Sequence, residues 1–207
     1  MKTQFFVRSL VGLGLLAAGY VSSAPRIAAE TPLSVGSARI TIAGTSNVHA
    51  YSASTTIARI TSVQLASSVA GPAFWDEIVK PGGLQAFEIA IPAAKLASDK
   101  EGLDKNMHKA LKVEQHPEIT FRVTSVQSRG TPGGLLALGK LRIAGVEREV
   151  ALDITTARTG DGLLVKGAIS ILMTDYGIAP PKAMLGMLKT DPKVTVSFET
   201  MLVVPLT

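Results

Sequence analysis

Of 207 residues, 46% are hydrophobic, 18% charged and 5% aromatic, which supplies apolar surface for one sizeable core and excludes a disordered chain. There is no cysteine, so disulfide scaffolds, thiol nucleophiles, thiolate metal sites, cysteine-attached haem and a lipobox are excluded. The formal charge of +5 would fit an anionic partner, but Lys2, Arg8 and Arg26 fall in the first 29 residues and the remainder holds 18 basic against 16 acidic residues, too even for a nucleic-acid footprint.

The chain opens like a secretory leader over 1–29. Lys2 and Arg8 precede the run Leu10-Val-Gly-Leu-Gly-Leu-Leu-Ala-Ala18, and small residues continue to Ala24, the order of a signal segment. The run is shorter than the roughly 20 residues that span a bilayer. Cleavage after Ala24 leaves Pro25 at the new terminus; cleavage after Ala29 avoids it. No twin arginine occurs, so the general export route is expected, to the periplasm or, alternatively, outside the cell. A chain without cysteine has nothing to mispair in an oxidising compartment.

From 30 to 207 the sequence reads as one all-β domain. Ile40 and Ile42 alternate with Arg39 and Thr41, and further strand candidates follow near 53–66 and 84–91. Ser98-Asp-Lys-Glu101 then has the form of a capping box, with Leu103, Met107, Ala110 and Leu111 at helical spacing until His116-Pro117, which predicts a short covering helix over 99–111. Period-two alternation resumes with Ile119, Phe121 and Val123, continues through 134–143, through Val150, Leu152 and Ile154 and through 162–172, and ends with Val194, Val196 and Phe198, giving eight strands. Ile143-Ala-Gly-Val146 and Thr159-Gly-Asp-Gly162 read as tight reversals, so the strands they join form an antiparallel meander. A second helical turn fits 183–188, between Pro180-Pro181 and Asp191-Pro192, and Trp75 is placed in a loop as a core plug.

Eight antiparallel strands with one apolar face bury it as two sheets or as a barrel, and closure removes exposed edges, so an eight-stranded antiparallel barrel is expected. Such a barrel is filled by its own side chains or holds one small or elongated ligand. Gly139 and Gly167 fall mid-strand on apolar faces, where glycine costs about 0.5–1 kcal/mol relative to alanine. One reason would be a bulge or barrel corner; the other is space for a ligand, which the apolar lining would make a lipid. The expected lining is Ile42, Phe87, Ile89, Phe121, Val123, Gly139, Leu141, Leu152, Val165, Gly167, Ile169, Val196 and Phe198.

Catalytic patterns are sparse. His49, His108 and His116 form no ligand spacing, and Gly44-Thr-Ser-Asn47 is not a nucleophile elbow. Neither a phosphate loop nor a dinucleotide fingerprint occurs, and no catalytic residue, metal site or cofactor is assigned. Asp175 and Tyr176, in Met173-Thr-Asp-Tyr-Gly-Ile178, read as a loop anchor with the tyrosine closing a barrel end, or as head-group contacts beside His49.

Several spaced motifs carry a resemblance: Phe87-Glu-Ile-Ala-Ile-Pro92, Lys95-Leu-Ala-Ser98, Leu103-Asp-Lys-Asn-Met-His-Lys-Ala-Leu-Lys112, His116-Pro-Glu-Ile-Thr-Phe121, Gly139-Lys-Leu-Arg-Ile-Ala-Gly-Val-Glu-Arg-Glu-Val150, Met173-Thr-Asp-Tyr-Gly-Ile178 and Leu188-Lys-Thr-Asp-Pro-Lys-Val194. Together, from about residue 35 to the end, they resemble the YceI-like family of exported polyisoprenoid-binding proteins. The resemblance implies a lipocalin-like barrel of eight strands holding a long isoprenoid or other lipid chain, commonly periplasmic and often a homodimer, with no stable membrane span after processing. It departs after His49, where Ala50-Tyr51 stands in place of an acidic residue and an aromatic, which implies a head-group preference of its own. A carrier or store of a long apolar lipid is therefore the expected function. The rival is a lipid hydrolase or isomerase in the same pocket, with His49 or His116 as base and Asp175 orienting it; a filled, purely structural barrel is the third reading.

Overall fold

The computed structural model describes residues 33–66, 73–160, 162–183 and 188–204, within a compact unit spanning Thr31–Thr207. The leader expected over 1–29 lies outside the described residues. Ten strands follow in chain order: β1 (Ser34–Ser46), β2 (Ala50–Thr55), β3 (Arg59–Leu65), β4 (Leu84–Pro92), β5 (Glu118–Ser128), β6 (Gly134–Ile143), β7 (Val146–Thr159), β8 (Gly162–Leu172), β9 (Lys182–Ala183) and β10 (Leu188–Val203). Every pairing is antiparallel, along the path β2-β1-β10-β8-β7-β6-β5-β4-β3, with β9 paired to β10.

The path explains why eight strands were counted and nine are strung along it. Its two ends, β2 and β3, are consecutive in sequence and separated by residues 56–58 alone. They are two halves of one interrupted strand: β2 pairs with β1, with Thr41 opposite Ser54, and β3 pairs with β4, with Ile60 opposite Ile89. The curled sheet thus closes through its own main chain. One bridge reinforces the seam, since Ser54 and Ala97 exchange N–H···O bonds of 2.8 and 3.0 Å.

Both predicted reversals are present. Ile143 faces Val146 across Ala144 (φ 49°) and Gly145 (φ 84°), and two positive φ angles make the type I′ turn that suits strand twist. Thr159 faces Gly162, so β6, β7 and β8 form the expected meander. Polar side chains on the outer face pair across strands: Arg122 with Glu88 at 2.8 Å, Lys166 with Glu199 at 2.9 Å, Lys140 with Glu147 at 3.2 Å, and Arg59 with Glu118. Exposed pairs of this kind contribute about 0.2–1 kcal/mol each.

Two helices stand at opposite ends. Helix α1 (Ala73–Val79) replaces the loop expected around Trp75. Phe74, Trp75 and Ile78 are buried in one cluster with Leu33, Leu163 and Leu202, the two aromatic rings meeting edge-on at 5.2 Å and the Arg158 guanidinium lying 6.0 Å from the Trp75 ring. Helix α2 (Glu101–Ala110) is the predicted covering helix, two residues shorter at its start and one at its end. Its capping box is also displaced. Asp104, not Glu101, reaches back to accept from the Ser98 N–H (2.8 Å) and hydroxyl (2.7 Å), while Glu101 pairs with Lys105 at 2.8 Å. His108 Nε2 lies 2.8 Å from the Leu96 carbonyl and ties α2 to the turn after β4. Of the second helical turn expected at 183–188, residue 183 ends β9, residue 188 begins β10, and 184–187 lie outside the described residues.

Candidate functional site

The apolar positions of the alternating strands face a common lumen of about 1530 Å³. Drug-sized ligands occupy pockets of roughly 300–1,000 Å³, so the lumen suits something longer. Its length follows from the strands. The 11 residues of β8 rise about 3.3 Å each, and a tilt of roughly 40° leaves a barrel height of roughly 28 Å.

The two ends of the lumen differ in chemistry. Toward the α1 end the walls are mostly aliphatic, with Ile78, Val79, Leu84, Leu135, Leu163 and Leu202 joined by two threonines, Thr156 and Thr200. At the α2 end, Leu103, Met107 and Leu111 face the lumen beside Leu96, Ile143, Tyr176 and Ile178, and polar side chains gather here that the other end lacks: Thr45, Ser46, His49, Asp99, Lys100, Asn106, Lys109, Lys112, Thr190, Asp191 and Lys193, interspersed with Ala50, Ala110, Ala179 and Pro181. The polar end is the mouth. Its β1–β2 turn is held by the Ser46 hydroxyl, which donates to the His49 carbonyl at 2.8 Å and accepts from the His49 N–H at 3.1 Å. Asn47 Oδ1 accepts from the Lys189 N–H at 2.8 Å and ties this turn to β10. Ser46 is thereby a turn residue.

Of the thirteen expected lining residues, eleven line the lumen: Ile42, Phe87, Ile89, Phe121, Val123, Leu141, Leu152, Val165, Ile169, Val196 and Phe198. Gly139 and Gly167 do not. A Cβ at 139 would lie 2.7 Å from the Phe121 ring and 2.4 Å from the Arg122 carbonyl oxygen, and one at 167 would lie 2.7 Å from the Phe198 ring. Aromatic rings, not a ligand, take the space the glycines leave. The pattern recurs at Gly44, where a Cβ would lie within 2.3 Å of the Tyr51 hydroxyl on the paired strand. A ring laid over a glycine uses the wall's missing volume instead of the lumen's, an arrangement known to support strand glycines.

The polar candidates separate in the same way. His49 is on the rim and Tyr176 is buried at the lumen wall. Asp175 is exposed and does not line the lumen; its carbonyl accepts from Arg148 Nε at 2.9 Å. His116 packs its imidazole over Gly145, within 2.5 Å of where a Cβ would stand, and is likewise absent from the lining. The pairing of His116 or His49 with Asp175, on which a hydrolase or isomerase reading would rest, is not assembled. Tyr51 was not among the expected site residues. Burial raises its pKa, with Asp191 adding to the rise; burial also raises that of Tyr176, with Asp175 adding and Arg148 opposing. Both phenols therefore remain protonated donors at neutral pH. Among the described residues no cluster of three or more His, Asp or Glu side chains could hold a metal.

A family model described as the YceI-like domain matches residues 35–202. The chain belongs to the YceI-like family. That match begins in β1 and ends in β10, so it contains every wall of the lumen. Solved structures share the YceI-like fold at low identity. BcnA of Burkholderia cenocepacia is 14% identical, with a TM-score of 0.62 over 81% of this chain and 96% of its own. A polyisoprenoid binding domain from Saccharophagus degradans, implicated in plant cell wall breakdown, is 11% identical, with a TM-score of 0.63 over 85% of this chain and 100% of its own. A mutant Campylobacter jejuni YceI protein with a monobromobimane guest is 12% identical, with a TM-score of 0.51 over 73% and 85%. No curated protein matches the chain. Among the described residues no helix is long and apolar enough to cross a membrane.

Proposed function

We propose that this YceI-like protein sequesters or carries a long apolar lipid, a polyisoprenoid, in its lumen without altering it, and that it does so in the periplasm after losing a leader that ends at Ala24 or Ala29. The observation that carries the reading is the lumen itself: about 1530 Å³, mostly aliphatic along its walls with charged and polar side chains gathered at one end. Water held against aliphatic walls lacks the two to four polar partners it needs, whereas each methylene of a lipid chain moved there from water gains about 0.8 kcal/mol. The name of the Saccharophagus degradans structure, a polyisoprenoid binding domain, supports the same ligand class.

Native mass spectrometry of the exported protein, followed by organic extraction, tests this. The expected result is a mass adduct that extraction identifies as a polyisoprenoid, on a chain whose N-terminus lies between residues 25 and 30. A ligand-free protein that also fails to take up added polyprenol would overturn the reading, and the same spectra report whether the protein is a homodimer.

A further inference from the structure

Far from the mouth, two strands break their own pattern. The lumen face of β10 runs Val194, Val196, Phe198, Thr200 and Leu202, and that of β7 runs Leu152, Ile154 and Thr156. A threonine thus stands where each alternation calls for an apolar side chain. The two are level with each other, since Thr156 and Thr200 both lie opposite Val165, on its two sides. Val165 is three residues from Gly162, where β8 begins at the α1 end, and seven from Leu172, where it ends at the mouth. With a rise of about 3.3 Å per residue and a tilt of roughly 40°, the pair sits about 8 Å above the α1 end and about 18 Å below the mouth.

The two hydroxyls differ. Thr156 Oγ1 donates to the Gly133 carbonyl at 3.1 Å and has only lone pairs left for the lumen. Thr200 is 5% exposed, yet its hydroxyl makes no hydrogen bond to a described residue. Its neighbours across the sheet are Val165 and Ala38, and those along its own face are Phe198 and Leu202; none carries a polar side-chain atom. Its oxygen is not sealed in, because among the described residues no side-chain oxygen closed off from accessible space lacks a partner. It opens on the lumen instead.

Burying a hydroxyl without a partner costs stability, and valine offers the same shape and branching without the oxygen. A water at this depth would find at most the two threonines, the lower limit of the two to four partners an internal water needs. The missing partner is therefore best supplied by the ligand.

We propose that Thr200 is a specificity-determining residue that hydrogen-bonds an oxygen carried far along the ligand's chain, so that the lumen favours an isoprenoid or other long lipid with a hydroxyl or carbonyl toward its buried end; this rests on the lumen being the lipid site. A chain of carbon and hydrogen alone leaves Thr200 unpaired, and a site that bonds a polar group rejects the analogue lacking it.

The test titrates the purified, delipidated protein with stearic acid and with three hydroxystearic acids, which carry the hydroxyl beside the carboxylate, at mid-chain and at the far terminus. The three isomers share one composition, so partitioning from water does not order them. The far-terminus isomer is expected to bind about fivefold tighter than the other two, the scale of one net hydrogen bond. Thr200→Val should abolish that preference, bind stearic acid no more weakly than the parent and melt no lower, whereas Thr200→Ser, which keeps a hydroxyl, should retain the preference. A parent without positional preference, or a preference that survives Thr200→Val, overturns the proposal while leaving the lumen reading intact. A Thr200→Val protein that melts lower than the parent overturns it too, since the hydroxyl would then be satisfied within the fold. Failure of all four acids to bind overturns the proposal, and the lumen reading with it if polyprenol is also refused.

Discussion

Helix α1 has seven residues and buries three of them, Phe74, Trp75 and Ile78, whereas α2 has ten residues and fully buries none. Both cap an end of the same barrel, and α2 is the longer and more regular. The difference lies in what each helix faces. The α1 side chains meet Leu33, Leu163 and Leu202, so their apolar area is satisfied within the protein. Leu103 and Met107 of α2 are half-buried along the lumen, so part of their apolar area is covered only when something occupies it. Apolar surface left incompletely buried is a common mark of a binding surface, so under the proposed function α2 is the end that meets the lipid.

The contrast predicts that damage at α1 is felt as stability. Trp75→Ala should cost about 3–5 kcal/mol, a fall of roughly 10 °C in Tm at 2–4 °C per kcal/mol, with lipid content per folded molecule unchanged. A folded Trp75→Ala protein that melts normally but has lost its lipid would reverse the roles of the two ends.

Between the ends, Gly139→Leu brings a Cβ against the Arg122 main chain and pushes the Phe121 ring off the wall. It should destabilise by about 1–3 kcal/mol, the usual cost of overpacking, and the displaced ring should narrow the lumen, so thermal melting and lipid content fall together. If lipid content fell at unchanged Tm, the glycine would border the ligand directly.

At α2, Leu103→Asp should change Tm by only about 1–3 °C, because the side chain is half-exposed and its new carboxylate is hydrated at the mouth, while co-purified lipid drops severalfold. A large loss of stability with full lipid occupancy would make α2 a plug like α1.

The smallest effect is expected on the outer face, away from both ends. The Arg122 guanidinium, which donates to Glu88, holds that carboxyl below its usual pKa, with Thr61 helping and partial burial opposing. A depressed folded-state pKa stabilises the fold above the ordinary glutamate range and ceases to do so as pH falls through the depressed value. Glu88→Gln should therefore melt about 1–2 °C lower than the parent near pH 7, and the difference should vanish in acid. Thermal melts of both proteins from pH 7 to pH 3 check it, and a gap that persists at pH 3 would assign the effect to packing.

The walls of the lumen were legible because alternation needs only the strand's own residues: Ile119, Phe121 and Val123 must share a face whatever pairs beside them. Pairing itself is not local, and the misplaced features depend on it. Alternation puts Gly139 and Gly167 on the apolar face of their strands, yet only the registers of β5–β6 and β8–β10 bring Phe121 and Phe198 over them. Helix α1 is too short for periodicity to declare it, although Asp76 and Glu77 in its first turns and Pro81-Gly82 beyond its end are available signals. The displaced capping box at Ser98 arises because Asp104 reaches the same donors that Glu101 was expected to reach.

The seam between β2 and β3 has a mechanical corollary. A barrel whose every strand is hydrogen-bonded on both sides can lose one peptide bond and remain a ring, since the ladders hold the cut ends in register. Here the ring passes through residues 56–58, among which Ile57 is 45% exposed, and through the single bridge from Ser54 to Ala97. Cleavage at that point turns a tube into a sheet with two free margins, so the closure of the whole enclosure hangs on a three-residue link.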